Sequence, residues 1–271
     1  MRTLLVVGIG AGDPDQLTLQ AVRALERADV FFVLDKGPAA ADLVALRREI
    51  LDRHLGAGAY RVVEAPDPRR DRAPADDGTP GAADYPAAVD DWHARRAELY
   101  ERMIASELAD EGCGAFLVWG DPSLYDSTLR ILERVAARGR VAFEHEVIPG
   151  ITSVQALAAR HRLVLNRIGA PVTITTGRRL AEHGFPPDVD DVVVMLDGTT
   201  AFRALADSGS DPERGPDLDI YWGAYLGTDD ELLIHGRLAD VAGTIARTRA
   251  DARRRKGWIM DIYLLRRTRR Q

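Results

Sequence analysis

Residues Leu4–Val7 form an apolar run of strand length that opens directly into Gly8-Ile9-Gly10-Ala11-Gly12-Asp13-Pro14, and a helical stretch, Thr18–Arg27, follows. Glycine suits a backbone that takes positive φ or comes close to a ligand. A buried strand ending in three alternate glycines puts its turn at the carboxyl edge of a parallel sheet, where open α/β folds bind ligands. A tight turn with no ligand would leave the same trace. The spacing narrows the choice. The dinucleotide fingerprint is Gly-x-Gly-x-x-Gly, whereas Gly8, Gly10 and Gly12 read Gly-x-Gly-x-Gly. A phosphate-binding P-loop ends in Gly-Lys-Ser/Thr, but the only lysines are Lys36 and Lys256, and neither precedes Ser or Thr. Asp13 sets a negative charge where a phosphate would sit, which favours a cationic or neutral ligand.

Strand-like and helical runs alternate after this turn. Strands are predicted at Val30–Leu34, Tyr60–Glu64, Ala115–Trp119 and Ala142–Ile148, and helices at Ala40–Leu55, Tyr85–Asp110 and Ser123–Arg138. Such alternation implies a parallel sheet with helices on its faces. The segment Ala65–Asp84 is rich in Pro, Asp, Gly and Arg and reads as a surface loop or lid. Pro149-Gly150 breaks the pattern, and a helix is expected over Ser153–Arg162. The second half offers strands at Val172–Thr176, Asp191–Leu196, Asp219–Ala224, Glu231–Arg237 and Trp258–Leu265. Helices fit Arg178–His183, Thr200–Asp207 and Leu238–Asp251. Its closing strands are adjacent in sequence, which suggests a mixed sheet with an antiparallel hairpin. The expected fold is therefore two α/β domains, residues 1–149 and 150–271, with a cleft between them.

The chain has 271 residues, 46% of them hydrophobic, and no stretch approaches the length of a membrane span. No signal-peptide pattern is read at Met1-Arg2-Thr3, and Cys113 is the only cysteine. The expected compartment is the cytoplasm, with no membrane partner. No His-Glu-x-x-His or cysteine-pair pattern suggests a metal. The net charge of −6 argues against a nucleic-acid partner. The basic runs Arg247–Lys256 and Arg266–Arg270 leave open a face for a polyanion, against the plainer reading of solvated helix and terminus.

Two further loops follow the logic of the first. Leu117-Val118-Trp119-Gly120-Asp121-Pro122-Ser123-Leu124-Tyr125 is an apolar strand ending in glycine, acid and proline. Asp121 or Ser123 could cap a following helix. Ile148-Pro149-Gly150-Ile151-Thr152-Ser153 ends in two hydroxyls at a helix start, where side chains and free N–H groups suit a carboxylate.

The trio Gly8-x-Gly10-x-Gly12-Asp13-Pro14, Gly120-Asp121-Pro122-Ser123-x-Tyr125 and Pro149-Gly150-x-Thr152-Ser153 resembles the tetrapyrrole methylases, in order and over nearly the whole chain. Ala11 and Gln16 depart from the family pattern, which usually has proline and an apolar residue there. The resemblance implies two α/β domains with the cofactor cleft between them, S-adenosylmethionine as cofactor, a tetrapyrrole polycarboxylate as substrate, and a homodimer. It implies cofactor contacts from Gly120, Asp121, Pro122, Ser123, Thr152, Ser153, Met195, Leu196, Gly223, Ala224 and Trp258. It turns Gly10, Gly12, Asp13 and Pro14 toward the tetrapyrrole. The segments Phe116–Arg130 and Trp92-His93 are similar to a member that methylates the ring and also releases an acetyl group. On that ground His93 and Tyr125 are candidate catalytic residues, joined by Asp13, whose carboxylate in the loop facing the tetrapyrrole could accept a proton as the macrocycle rearranges. Other ring-methylation steps, or an RNA or diphthine methylase of the same fold, are the rival readings.

Overall fold

The computed structural model describes residues 1–35, 37, 41–68, 85–208 and 217–268, so most of the expected loop 65–84 lies outside the described residues. The chain forms two compact units. The first comprises Met1–Gly10 and Pro14–Ile151; the second comprises Thr152–Gln271 and takes in the tip of the first turn, Ala11–Asp13.

In the first unit β1 (Arg2–Gly8), β2 (Val30–Asp35), β3 (Val62–Pro66), β4 (Cys113–Val118) and β5 (Phe143–Ile148) make a sheet in the order β3-β2-β4-β1-β5. Every pairing in it is parallel. Side chains alternate across a strand, and β1 uses this to serve two cores. Leu5 and Val7 pack with Ala21 and Leu25 of α1 (Leu19–Glu26) and with Ile50 and Leu51 of α2 (Ala41–Leu55). Leu4 and Val6 pack with Tyr100 and Ile104 of α3 (Tyr85–Glu107) and with Ile131 and Val135 of α4 (Thr128–Arg138). The chain leaves β1 for the α1–α2 face and leaves the adjacent β4 for the α3–α4 face. The carboxyl ends of β1 and β4 are therefore the topological switch point, where open α/β sheets hold ligands.

The helix expected from Ser123 begins only at Thr128. Tyr125 takes a left-handed conformation, φ 52°, which no α-helix admits, and the Asp126 carboxylate accepts the Thr128 N–H at 2.6 Å. Neither Asp121 nor Ser123 is a helix cap; the loop after β4 runs to Ser127. The start of the first helix is capped by Thr18, whose hydroxyl accepts the Ala21 N–H at 3.0 Å, and Asp13 is followed by a single 3-10 turn, Pro14–Gln16.

In the second unit α5 (Ser153–His161) precedes β6 (Val172–Thr176), α6 (Gly177–His183), β7 (Asp191–Met195), α7 (Phe202–Ser208), β8 (Leu218–Ala224), β9 (Leu232–Arg237), α8 (Leu238–Lys256) and β10 (Asp261–Arg267). The sheet order is β6-β7-β10-β8-β9, with β6 and β7 parallel and the other pairs antiparallel. This is the mixed sheet with a closing hairpin that the sequence suggests. The last strand starts at Asp261, three residues later than expected. The carboxyl ends of β6, β7 and β8 and the start of β10 share one edge.

Part of each basic run is engaged within the second unit. Arg249 is buried against Asp261, Arg266 pairs with the fully buried Asp191, and Lys256 pairs with Asp230 at 2.6 Å. Arg267 forms an ion pair with Asp190 at 3.6 Å and covers the Phe185 ring. Residues 269–271 lie outside the described part.

Candidate active site

At the carboxyl edge of the first unit three backbones meet. The Gly120 N–H donates to the Gly10 carbonyl at 2.7 Å, and the Gly10 N–H returns to Gly120 at 3.4 Å. A Cβ on Gly8 would fall 2.6 Å from the Gly150 nitrogen, and one on Gly150 would fall 2.1 Å from the Gly120 oxygen. Gly8 and Gly150 thus owe their identity to the close approach of loops. Asp121 ties the same loops together. One of its carboxylate oxygens accepts the Gly150 N–H at 2.8 Å, the other the N–H of Ser123 at 2.8 Å and its hydroxyl. Burial pushes the Asp121 carboxyl up, but these hydrogen bonds outweigh it and hold it below the usual carboxylate range. Pro122 is buried, whereas Ser123 and Tyr125 are exposed.

His93 lies on α3 beside Trp92, the two rings tilted by 32° with centres 5.2 Å apart. Arg96 covers the Trp92 ring at 3.9 Å and donates to the Ser127 hydroxyl at 3.3 Å, which links this part of α3 to the loop carrying Tyr125. Burial, then the charges of Arg134, Arg96 and Arg130, lower the His93 pKa against a pull from Asp90. His93 is therefore a neutral imidazole near neutral pH.

In the second unit Met195 and Gly223 lie on one rung, each paired with Ile262 of the strand between them, and Ala224 pairs with Asp261. Leu196 follows at φ 53° with 64% of its surface exposed. Tyr225, at φ 50°, closes β8; its hydroxyl donates to the Trp258 carbonyl at 2.6 Å and the two rings meet edge to face. The Trp258 indole N–H is buried with no acceptor among the described residues. Gly12 and Asp13 join this edge. A Cβ on Gly12 would fall 2.4 Å from the Leu226 oxygen, and one on Gly227 would fall 2.6 Å from the Asp13 nitrogen. The second unit so brings the substrate candidates Gly12 and Asp13 beside the loop that follows the cofactor candidates Gly223 and Ala224.

Thr152 departs from the simple reading of two ligand hydroxyls. Its side chain accepts the Val154 N–H at 3.1 Å, and its own N–H donates to the Gln155 side chain at 3.1 Å, a capping box that occupies it with the helix. Ser153 stands half-buried at the first position of α5.

Residues 3–242 match the profile of the Tetrapyrrole (Corrin/Porphyrin) Methylases. The chain belongs to this family. Among its relatives is the precorrin-6A synthase [deacetylating] of Sinorhizobium sp, 53% identical over 98% of this chain and 95% of that protein. A solved structure, that of a cobalamin synthesis related protein (CobF) from Corynebacterium diphtheriae, superposes with a TM-score of 0.78 at 39% identity, covering 98% of this chain and 99% of that one. The uroporphyrin-III C-methyl transferase of Thermus thermophilus, complexed with S-adenosyl homocysteine, shares the fold at 20% identity and a TM-score of 0.54, covering 97% and 96%.

The sequence reading of this methylase missed the group that holds the β7 turn. Asp197 is buried and accepts the Tyr263 hydroxyl at 2.7 Å, the Ala201 N–H at 2.8 Å and the Thr199 N–H at 2.9 Å. Arg249 donates to the Asp197 carbonyl and to Asp261, and Asp261 also accepts the Trp222 indole at 3.0 Å. This network fixes the residue next to Leu196. A signal was present: Leu196-Asp197-Gly198 again sets an acid and a glycine at a strand end, in the reverse order of the first two loops.

Proposed function

We propose that this tetrapyrrole methylase transfers a methyl group from S-adenosylmethionine to C1 of precorrin-5 and releases the acetyl group as acetate, giving precorrin-6A. The observation that carries this reading is the full-length similarity to a precorrin-6A synthase [deacetylating], 53% identical. Bound S-adenosylmethionine supplies a methyl group that is already activated, so no protein nucleophile is needed. The protein's part is to align the reacting carbon and exclude water, which can supply most of the rate.

One feature fits such a cofactor. Leu196 presents an apolar side chain to solvent from a left-handed backbone, an arrangement that costs free energy and marks functional turns. In this reading Gly120, Pro122, Ser123, Thr152, Ser153, Met195, Leu196, Gly223, Ala224 and Trp258 serve the cofactor, Thr152 and Asp121 chiefly by holding backbone in place. Gly10, Gly12, Asp13 and Pro14 serve the tetrapyrrole. Release of acetate consumes water and needs a base. His93 is held neutral and able to take a proton; Asp13 and the exposed Tyr125 hydroxyl are the other candidates.

We further infer a homodimer working in the cytoplasm. The homodimer is what the family resemblance implies. No helix among the described residues is long and apolar enough to cross a membrane.

Incubation with precorrin-5 and methyl-labelled S-adenosylmethionine tests the reading, with mass spectrometry of the ring and an assay for free acetate. Label on a ring that has lost its acetyl group is expected. Label on a ring that keeps it would move the protein to another methylation step.

A further inference from the structure

A polycarboxylate needs cations to hold it, and the described arginines at the end of the segment 65–96 are already engaged. Arg96 grips Asp67 with two nitrogens and Arg95 pairs with Asp91 at 2.9 Å. Arg47 differs. It stands on α2 and reaches the carboxyl end of β4, donating to the Leu117 carbonyl at 3.3 Å and to the Leu43 carbonyl at 2.9 Å. Its guanidinium carbon lies 5.3 Å from the centre of the Trp119 ring, and Trp119 leads into the Gly120 turn. The Trp119 indole N–H is itself buried with no acceptor among the described residues.

No carboxylate among the described residues pairs with Arg47, whereas its neighbours on α2 are paired, Arg48 with Glu64 and Arg53 with Asp15. Burial lowers the Arg47 pKa to about 10, and the fields of Tyr100 and Asp126 offset this only in part. A planar cation whose acceptors are neutral carbonyls, at the ligand edge of a sheet, is matched by a carboxylate. The same helix touches the first turn: His54 lies 3.4 Å from the Pro14 carbonyl, and the Arg53 pair with Asp15 is 2.7 Å.

We propose that Arg47 binds a side-chain carboxylate of the tetrapyrrole substrate, an assignment that rests on the methyltransferase reading above. The methionyl end of the cofactor also carries a carboxylate, but α2 is anchored to the turn assigned to the tetrapyrrole. The full-length protein and its Arg47→Gln and Arg47→Lys variants are titrated with uroporphyrin III by fluorescence and with S-adenosylhomocysteine by calorimetry. Loss of a charge-assisted hydrogen bond corresponds to roughly 10- to 100-fold weaker binding. That loss is expected for uroporphyrin with Arg47→Gln and a smaller one with Arg47→Lys, with S-adenosylhomocysteine affinity unchanged and KM for the ring raised more than kcat is lowered. Unchanged uroporphyrin affinity in Arg47→Gln would overturn the assignment. So would a parallel fall in S-adenosylhomocysteine affinity, which would make Arg47 a cofactor or scaffold residue. If the unaltered protein binds no S-adenosylhomocysteine, the methyltransferase reading itself fails, and the assignment with it.

Discussion

Replacing Gly150 by Ala tests whether the meeting of three loops is what holds the site. The new methyl group would stand 2.1 Å from the Gly120 oxygen and 2.8 Å from the Gly8 backbone. All of these atoms are backbone, so no side chain can swing aside. The loops must part, and overpacking of this kind costs about 1–3 kcal/mol. Parting them also stretches the 2.8 Å bond from the Gly150 N–H to the Asp121 carboxylate; a hydrogen bond to a charged group contributes about 1.5–3 kcal/mol. The combined loss is about 2.5–6 kcal/mol, and a unit of this size loses roughly 3 °C of Tm per kcal/mol. Thermal unfolding should therefore shift down by roughly 8–18 °C, and S-adenosylhomocysteine affinity should fall with it. Gly198→Ala is the control, because a Cβ there meets nothing within 4 Å. It should stay within about 0.5 kcal/mol of the parent. A Gly150→Ala protein with the parent's unfolding midpoint would refute the contact reasoning.

Asp197→Asn turns an NH2 group toward donors that now share a carboxylate, and should cost about 2–3 kcal/mol in denaturant unfolding; a neutral result would remove the network's claim on the β7 turn. Leu196→Gly relieves a left-handed leucine and should leave the ligand-free protein as stable or up to about 1 kcal/mol more stable, yet weaken S-adenosylhomocysteine binding several-fold. Equal binding in calorimetry would take Leu196 out of the site. The His93 pKa is lowered on folding from the ordinary 6.5, so the unfolded chain binds more protons just below that pH and stability falls as pH drops. In His93→Gln the decline of Tm below about pH 6.5 should be shallower than in the parent; identical slopes would mean that His93 does not titrate as its surroundings imply.

The alternation of strand-like and helical runs, and the glycine-acid-proline grammar of the first two loops, were legible in the sequence because they are local. A strand needs apolar residues, and a tight turn needs glycine or proline wherever it sits. The helix placed at Ser123 was misjudged because a non-glycine left-handed residue, Tyr125, carries no mark in the sequence. Asp121 illustrates the same limit. Its identity reads as a cap or a ligand; Ser123 is a local partner two residues on, but the bond from Gly150 exists only because β5 lies beside β1, which itself lies beside β4.

The order of strands, which makes the ends of β1 and β4 a switch point, is set by pairings between residues about a hundred positions apart, such as Val7 with Leu117. Arg47, Asp197 and Arg249 likewise look like ordinary surface charges in the linear chain. Burial and partners, which only tertiary packing supplies, separate an arginine that is neutralised from one that faces neutral carbonyls. Local composition therefore determined which elements form and which turns they end in. Long-range packing decided which turns meet, because the energy of a close backbone approach or a buried charge depends on what lies opposite it in space.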